Sequence, residues 1–308
     1  MVTTSTLPPG ISGLHALPAD HHDGPWDSIV TPAEVKDRLL GTALLLLRHG
    51  RALQELSGPL HGLIVLAGPP GTGKTTLCRG LAQRVALALS TRGATTFVEI
   101  DPHAFPSEML GESQRAVTTL FTDTLPELAA RRPHTVVLLD EVETMAVRRS
   151  TASFETNPVD VHRATDALLS GLDVLRSRCP QLLLLTTTNF PAAVDEAFLD
   201  RADLVLRLGL PDEETITTIL RSTLAEAAAV FGGLAGIAAD EDLLRTLAER
   251  CLGLDGRRIR KLLLAAVAQR PATALDPGTL TGQDLIAAVD WERAGDELAP
   301  RPRVVSHR

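Results

Sequence analysis

Five short apolar runs limit the architectures open to this chain: LIVLA (63–67), TFVEI (96–100), TVVLLD (135–140), LLLLTTT (182–188) and LVLRL (204–208). A strand wetted on one face alternates apolar with polar residues. Runs this continuous suit strands buried on both faces, as in parallel sheets covered by helices. The spacings leave room for a helix between strands, so the chain reads as an α/β fold built on a five-stranded parallel sheet. After Pro211 the strand signals stop and helical periodicity takes over, at about 212–231, 240–252, 256–270 and 282–293. This last third reads as a small helical subdomain.

The expected organisation is a loose N-terminal tail (1–25), a large α/β subdomain (26–210), the helical subdomain (211–295) and a C-terminal tail (296–308). The first stretch carries Pro, Gly, Thr and His without periodicity. His15, His21 and His22 lack a carboxylate or cysteine at ligand spacing, so a solvated tail is expected there rather than a metal cluster. In TPAEVKDRLLGTALLLLRHG, Thr31 is a candidate N-cap, Pro32 stands at the first helical position and Gly50 is read as the stop.

Composition removes several function classes. No apolar run approaches the roughly 18 residues needed to cross a bilayer, and MVTTSTLPPG lacks the basic-then-apolar order of a signal peptide. Cys78, Cys179 and Cys251 stand far apart without a CxxC pair, which suggests neither a disulfide framework nor a zinc site. A cytoplasmic location is the expectation. The formal net charge of −8 argues against broad binding to a phosphate backbone.

Directly behind the run at 63–67 comes GPPGTGKTT: Gly68, Pro69, Pro70, Gly71, Thr72, Gly73, Lys74, Thr75 and Thr76. It matches GxxxxGK[ST], and LCRGLAQRVA behind it is ready to form a helix. Glycines let backbone N–H groups curl around phosphate oxygens, the helix N-terminus adds positive potential, and Lys74 would reach the terminal phosphates. Thr75 would place its hydroxyl on Mg²⁺. The site is read as one for a nucleoside triphosphate with Mg²⁺.

The run HTVVLLDEVETM ends in adjacent acids, Asp140 and Glu141. Charge at the end of a buried strand needs a partner, and Mg²⁺ on phosphates would be one. Asp140 would contact the metal through its water shell and Glu141 would polarise the attacking water. A strand-to-helix cap is the alternative for either acid alone. LLTTTNF places Asn189 at the same sheet edge, where it could hold that water or simply make the turn before Pro191. In DEAFLDRADLVLRL, Arg201 stands between aspartates, either in an internal salt bridge or aimed at another group's negative charge.

This order of motifs resembles the AAA+ ATPases over roughly residues 26–295. The resemblance implies that Arg201 is an arginine finger reaching the ATP of a neighbouring subunit, with Asp200 and Asp203 holding it in position. It implies that Arg257, in GLDGRRIRKL, is the sensor-2 arginine. PHAFPSEMLGESQRAV (102–117) falls where these proteins carry pore loop 1. Met109 and Leu110 then align with an aromatic and apolar pair that grips an extended polypeptide, and methionine is adhesive enough to replace the aromatic. A plain core Met and Leu pair is the alternative there.

HTVVLLDEVETM, NPVDVHRATDALLSGLD, LLLLTTTNFPAAVDEAFLDRADLVLRLGLPD and GLDGRRIRKL together resemble the pachytene-checkpoint remodellers, also called the thyroid-receptor-interactor family. Membership implies a homohexamer that disassembles complexes of HORMA-domain proteins. Residues 148–163 would be a second pore loop. Only about 25 residues precede the ATPase region, too few for the N-terminal recognition domain of eukaryotic members. The implied setting is a bacterial antiviral operon, with a HORMA substrate and a cGAS-like nucleotidyltransferase bound to it as the implied partners. The rival readings are an AAA+ nucleic-acid motor or loader, and an ATP-gated scaffold.

Overall fold

The computed structural model describes residues 7–22, 24–57, 60–105, 112–147 and 158–298. Two compact units, Met1–Gly209 and Leu210–Arg308, divide the chain.

The first unit is built on a six-stranded sheet. Its strands are β1 (Ile11–Leu17), β2 (Leu63–Ala67), β3 (Thr95–Ile100), β4 (His134–Leu139), β5 (Leu182–Thr188) and β6 (Leu204–Arg207), in the spatial order β1-β3-β4-β5-β2-β6. Strands β2 to β6 are parallel, as the continuous apolar runs predict. The sixth strand corrects the expected five. It comes from the stretch read as a tail: β1 pairs antiparallel with β3, from Ile11 opposite Ile100 to Leu17 opposite Thr95. Its sequence, ISGLHAL, buries Ile11, Gly13 and Leu17 in weak alternation, too faint a period to stand out among glycine and histidine. His15 and His22 are part-buried rather than fully solvated; their rings lie 4.9 Å apart and 6.2 and 6.0 Å from Phe97.

Helices α1 (Pro25–Ser28), α2 (Ala33–Ser57), α3 (Lys74–Leu89), α4 (Glu112–Thr119), α5 (Leu125–Ala130), α6 (Pro158–Arg178) and α7 (Glu196–Leu199) complete this unit. The helix expected to stop at Gly50 continues to Ser57. Gly50 serves packing instead, since a Cβ there would lie 2.9 Å from the Pro180 carbonyl oxygen. Successive strand residues point to opposite faces and both are covered. Leu63, Val65, Val98, Val137 and Leu184 pack with Phe121, Leu168 and Leu172 on one side. Ile64, Leu66, Phe97, Val136 and Leu183 pack with Leu39, Leu77 and Leu81 on the other. The polar strand-end residues are thereby left in register along one edge of the sheet.

The second unit holds α8 (Glu213–Val230), α9 (Ala235–Ala238), α10 (Glu241–Cys251), α11 (Gly256–Ala268), α12 (Pro271–Leu275) and α13 (Gly282–Leu298). The aspartates before α8, α10 and α11 cap them. Asp212 accepts from Thr215 N, Asp240 from Leu243 N, and Asp255 from Arg257 N and Arg258 N. Each cap contributes about 1 kcal/mol. Among the described residues no helix is long and apolar enough to cross a membrane.

Candidate functional site at the strand ends

Strand β2 runs straight into the glycine loop, and α3 begins at Lys74 directly behind it. Gly71 and Gly73 take φ of 79° and 88°, a region that side chains disfavour. A Cβ at Gly68 would lie 2.0 Å from the Leu208 carbonyl oxygen and one at Gly73 2.5 Å from Ile29 Cδ1, so the loop closes only with glycine there. Among the described residues no side chain caps α3, whose first N–H groups open onto the loop. Lys74 is buried, its ammonium 2.8 Å from the carbonyl oxygens of both Gly68 and Pro69. Thr72 donates to Pro69 O at 2.9 Å and tightens the turn.

Opposite the loop, β4 ends and Asp140 follows. Its Oδ1 accepts from the Thr75 hydroxyl at 2.8 Å and also from the Thr187 hydroxyl. Thr187 Oγ1 in turn accepts the Glu141 backbone N–H at 3.0 Å. Glu141 stands in the left-handed region at φ 52°, the one non-glycine residue with positive φ among those described. That conformation turns the chain sharply as it leaves the sheet, at a cost on the order of 1–2 kcal/mol. The Glu141 side chain is half-exposed. Its Oε1 accepts from Asn189 Nδ2 at 3.1 Å, and His103 Nε2 lies 3.6 Å from its Oε2. The Asn189 backbone N–H donates to Glu143 Oε1 at 2.9 Å. Thr75, Asp140, Glu141 and Asn189 are thus brought together. Thr187, Glu143 and His103 join them, although sequence reasoning passed over all three. The polar residues ending the buried run LLLLTTTN were the available signal for Thr187.

A metal would meet hard oxygen donors here. The Thr75 hydroxyl and the Asp140 carboxylate stand within hydrogen-bond distance of each other beside the loop, the small donor set that Mg²⁺ accepts while keeping several waters. An open cleft of about 370 Å³ flanks the loop, lined by Gly68, Pro69, Asn189, Pro191, Arg207 and Leu208.

Arg201 lies elsewhere. Its Nε and one terminal nitrogen each sit 3.2 Å from an oxygen of Asp173 on α6, and its other terminal nitrogen donates to Ala197 O at 2.9 Å. The expectation that Asp200 and Asp203 hold it is corrected. Asp203 accepts the backbone N–H groups of His61 and Leu63 at 3.1 and 2.9 Å and secures the start of β2, while Asp200 ends α7. Asp203 is committed to β2, and the guanidinium reaches Asp173 on α6 and the Ala197 carbonyl on α7 instead. That hydrogen bond holds the Asp173 carboxyl below its usual range. His61 lies 3.7 Å from Asp173, and burial, with help from Arg176, holds its imidazole below its ordinary value. Arg201 therefore sits where β2 begins, and the glycine loop where β2 ends. The extended chain from Leu63 to Gly68 spans roughly 16 Å.

Arg257 belongs to the second unit, exposed in the first turn of α11, with its N–H on Asp255. Neighbouring Arg258 is held by Glu292 at 3.1 and 3.2 Å. Met109 and Leu110 lie outside the described residues, as does most of 148–163.

Comparison with known proteins identifies the family and the fold. Residues 64–210 match the family model described as "ATPase family associated with various cellular activities (AAA)". The chain is similar to CD-NTase-associated protein 6 of Pseudomonas aeruginosa, at 44% identity over 92% of this chain and 93% of that one. It is similar to the pachytene checkpoint protein 2 homolog of Danio rerio, at 31% identity over 89% of this chain and 69% of the other. Among solved structures, C. elegans PCH-2 superposes with a TM-score of 0.74 at 27% identity, covering 91% of this chain and 75% of that one. A chain of the E. coli MS115-1 HORMA:CdnC:Trip13 complex superposes with a TM-score of 0.72 at 18% identity, covering 96% and 97%, a likeness of fold.

Proposed function

We propose, from the premise that this chain belongs to the AAA ATPases and among them to the family of CD-NTase-associated protein 6 and the pachytene checkpoint protein 2 homologues, that it hydrolyses ATP in a homohexameric ring and uses the energy to take apart complexes of a HORMA-domain protein. Gly68 to Thr76 would wrap the phosphates, with Lys74 on the terminal ones. Thr75 and Asp140 would hold Mg²⁺, which supplies positive charge against the phosphate oxygens. Glu141, fixed by Asn189 at 3.1 Å, would take the proton of the attacking water, and the Asn189 amide would orient that water. Arg257 would couple the helical unit to the nucleotide. Met109 and Leu110 would grip the substrate.

The observation that carries a multi-subunit reading is the place of Arg201. It lies at the opposite edge of the sheet from the glycine loop of its own chain, beyond the reach of an arginine side chain. A finger role at a γ-phosphate would therefore have to be played in a second copy. The HORMA substrate, and a cGAS-like nucleotidyltransferase bound to it, follow from the names of relatives: a CD-NTase-associated protein and a structure that contains HORMA and CdnC beside Trip13. Restraint of antiviral signalling in the cytoplasm is the corresponding role.

The test is the ATPase rate of the wild type and of Glu141→Gln, each with and without a HORMA-domain protein encoded beside it. Stimulation by that protein, abolished by the substitution, is the expected result. Stimulation by DNA instead would replace the protein substrate with nucleic acid. Indifference to both would leave an ATPase without this role.

A further inference from the structure

Strand β5 ends at Thr188, so the Asn189 N–H has passed beyond its sheet partners and needs an acceptor from elsewhere. Glu143 supplies one, at 2.9 Å. The same asparagine reaches Glu141 Oε1 through its amide, so residues 141 and 143 hold it at two points, side chain and backbone. Glu143 is itself rigidly mounted. Val142 beside it is fully buried, the Asp195 N–H donates to Ala146 O at 2.9 Å, Thr165 donates to Met145 O at 3.0 Å, and Val147 bridges to Val194. Its second carboxylate oxygen, Oε2, is buried and has no hydrogen-bond partner among the described residues. A carboxylate kept there with one oxygen unsatisfied is a poor stabiliser of the fold, because burial penalises a charge that lacks partners. Its value lies in what the other oxygen does: a charge-assisted hydrogen bond holds a backbone donor more firmly than a neutral acceptor would.

We infer that Glu143 is a positioning residue for the ATPase reaction, fixing the Asn189 backbone so that its amide meets Glu141 and the lytic water in one orientation. The inference rests on the proposed roles of Glu141 and Asn189. In this role Glu143 acts through Asn189. The 141–143 turn and the end of β5 are then one unit, joined at Thr187, Glu141 and Glu143.

The test is a kinetic comparison of full-length Glu143→Ala, Glu143→Asp and Glu143→Gln, with Asn189→Ala and the double variant Glu143→Ala/Asn189→Ala. Glu143→Ala is expected to lower kcat about tenfold or more, below the ~100-fold that a 1 Å misplacement can cost. KM for ATP and the affinity for a fluorescent ATP analogue should stay within about twofold, since the phosphate loop is untouched. Glu143→Gln, which keeps a weaker, neutral acceptor, should fall between the wild type and Ala in kcat. Glu143→Asp, one methylene short, should resemble Ala and keeps the test intact if the Ala variant fails to fold. In the Asn189→Ala background, removing Glu143 should cost little more. The inference is overturned if Gln fails as badly as Ala, if nucleotide affinity falls along with kcat, or if the two losses multiply in the double variant. Glu141→Gln is the control for the underlying reading. Continued turnover in that variant defeats the proposed function itself, whereas a silent Glu141→Gln beside an unaffected Glu143→Ala defeats only the role of Glu143.

Discussion

Arg201 is gripped by Asp173: two guanidinium nitrogens lie 3.2 Å from the two carboxylate oxygens, joining the segment before β6 to helix α6. The pair is partly exposed, so as an internal ion pair it adds little stability. What it provides is direction, since a two-point grip fixes the plane of the guanidinium. Arg201→Ala is expected to lower turnover by about 10³-fold or more if the side chain completes a neighbour's site. Asp173→Ala should produce part of that loss with nucleotide affinity intact. Mixing Arg201→Ala with Lys74→Ala subunits should restore some activity, because some interfaces then pair an intact finger with an intact loop. Mixed rings that stay as inactive as either parent would refute action across subunits.

Glu141 adopts φ 52° and ψ 54°, where only glycine is at ease. Glu141→Gly and Glu141→Ala both remove the carboxylate, and both should abolish turnover. Relief of left-handed strain favours glycine and its larger unfolded-chain entropy offsets part of that, so the glycine variant should be the more stable of the two by up to about 1 kcal/mol. Chemical denaturation of both variants reads the difference directly. Equal stabilities would mean that the turn relaxes out of the left-handed region once the carboxylate is gone.

Gly80 faces the backbone of Trp26 across α3 and α1. A Cβ there would lie 2.4 Å from Trp26 N and 2.6 Å from its Cα, and backbone yields less readily than a side-chain tip. Gly80→Ala is expected to destabilise the first unit by about 1–3 kcal/mol, despite the better helix propensity of alanine. The midpoint of urea unfolding should fall accordingly. An unchanged or raised midpoint would show that α1 moves aside at no cost.

His61 sets a pH dependence whose sign follows from its environment. Burial first, then Arg176, holds its folded pKa below the ordinary value of 6.5. The unfolded chain therefore takes up a proton before the folded one does. The stability due to neutral His61 is complete above about pH 6.5 and is lost as the pH falls from there through the folded pKa. His61→Gln should flatten that part of a stability–pH curve measured between pH 7.5 and 5. A variant that keeps the wild-type slope would place the proton uptake elsewhere.

The parallel sheet, the helical last third and the glycine loop were legible because each rests on local physics. Continuous apolar runs report burial on both faces, and GPPGTGKTT reports a backbone that needs glycine. Asp140, Glu141 and Asn189 were legible for a related reason: a polar residue at the end of a buried strand has few places to go. Strand β1 was not, because ISGLHAL has little intrinsic signal and becomes a strand only when β3 offers its edge.

By itself, the order of residues along the chain determined which side chains stand at the ends of the strands. Tertiary structure alone decided which partners they meet. Asp200 and Asp203 flank Arg201 in sequence, yet Asp173, 28 residues away, holds it. Glu143 lies 46 residues from the backbone N–H it secures. Strand and helix periodicities act over a few residues and can be read along the chain. A hydrogen bond between two elements depends on how the sheet stacks its strands and how each turn aims its side chains, and that geometry exists only once the whole core has packed.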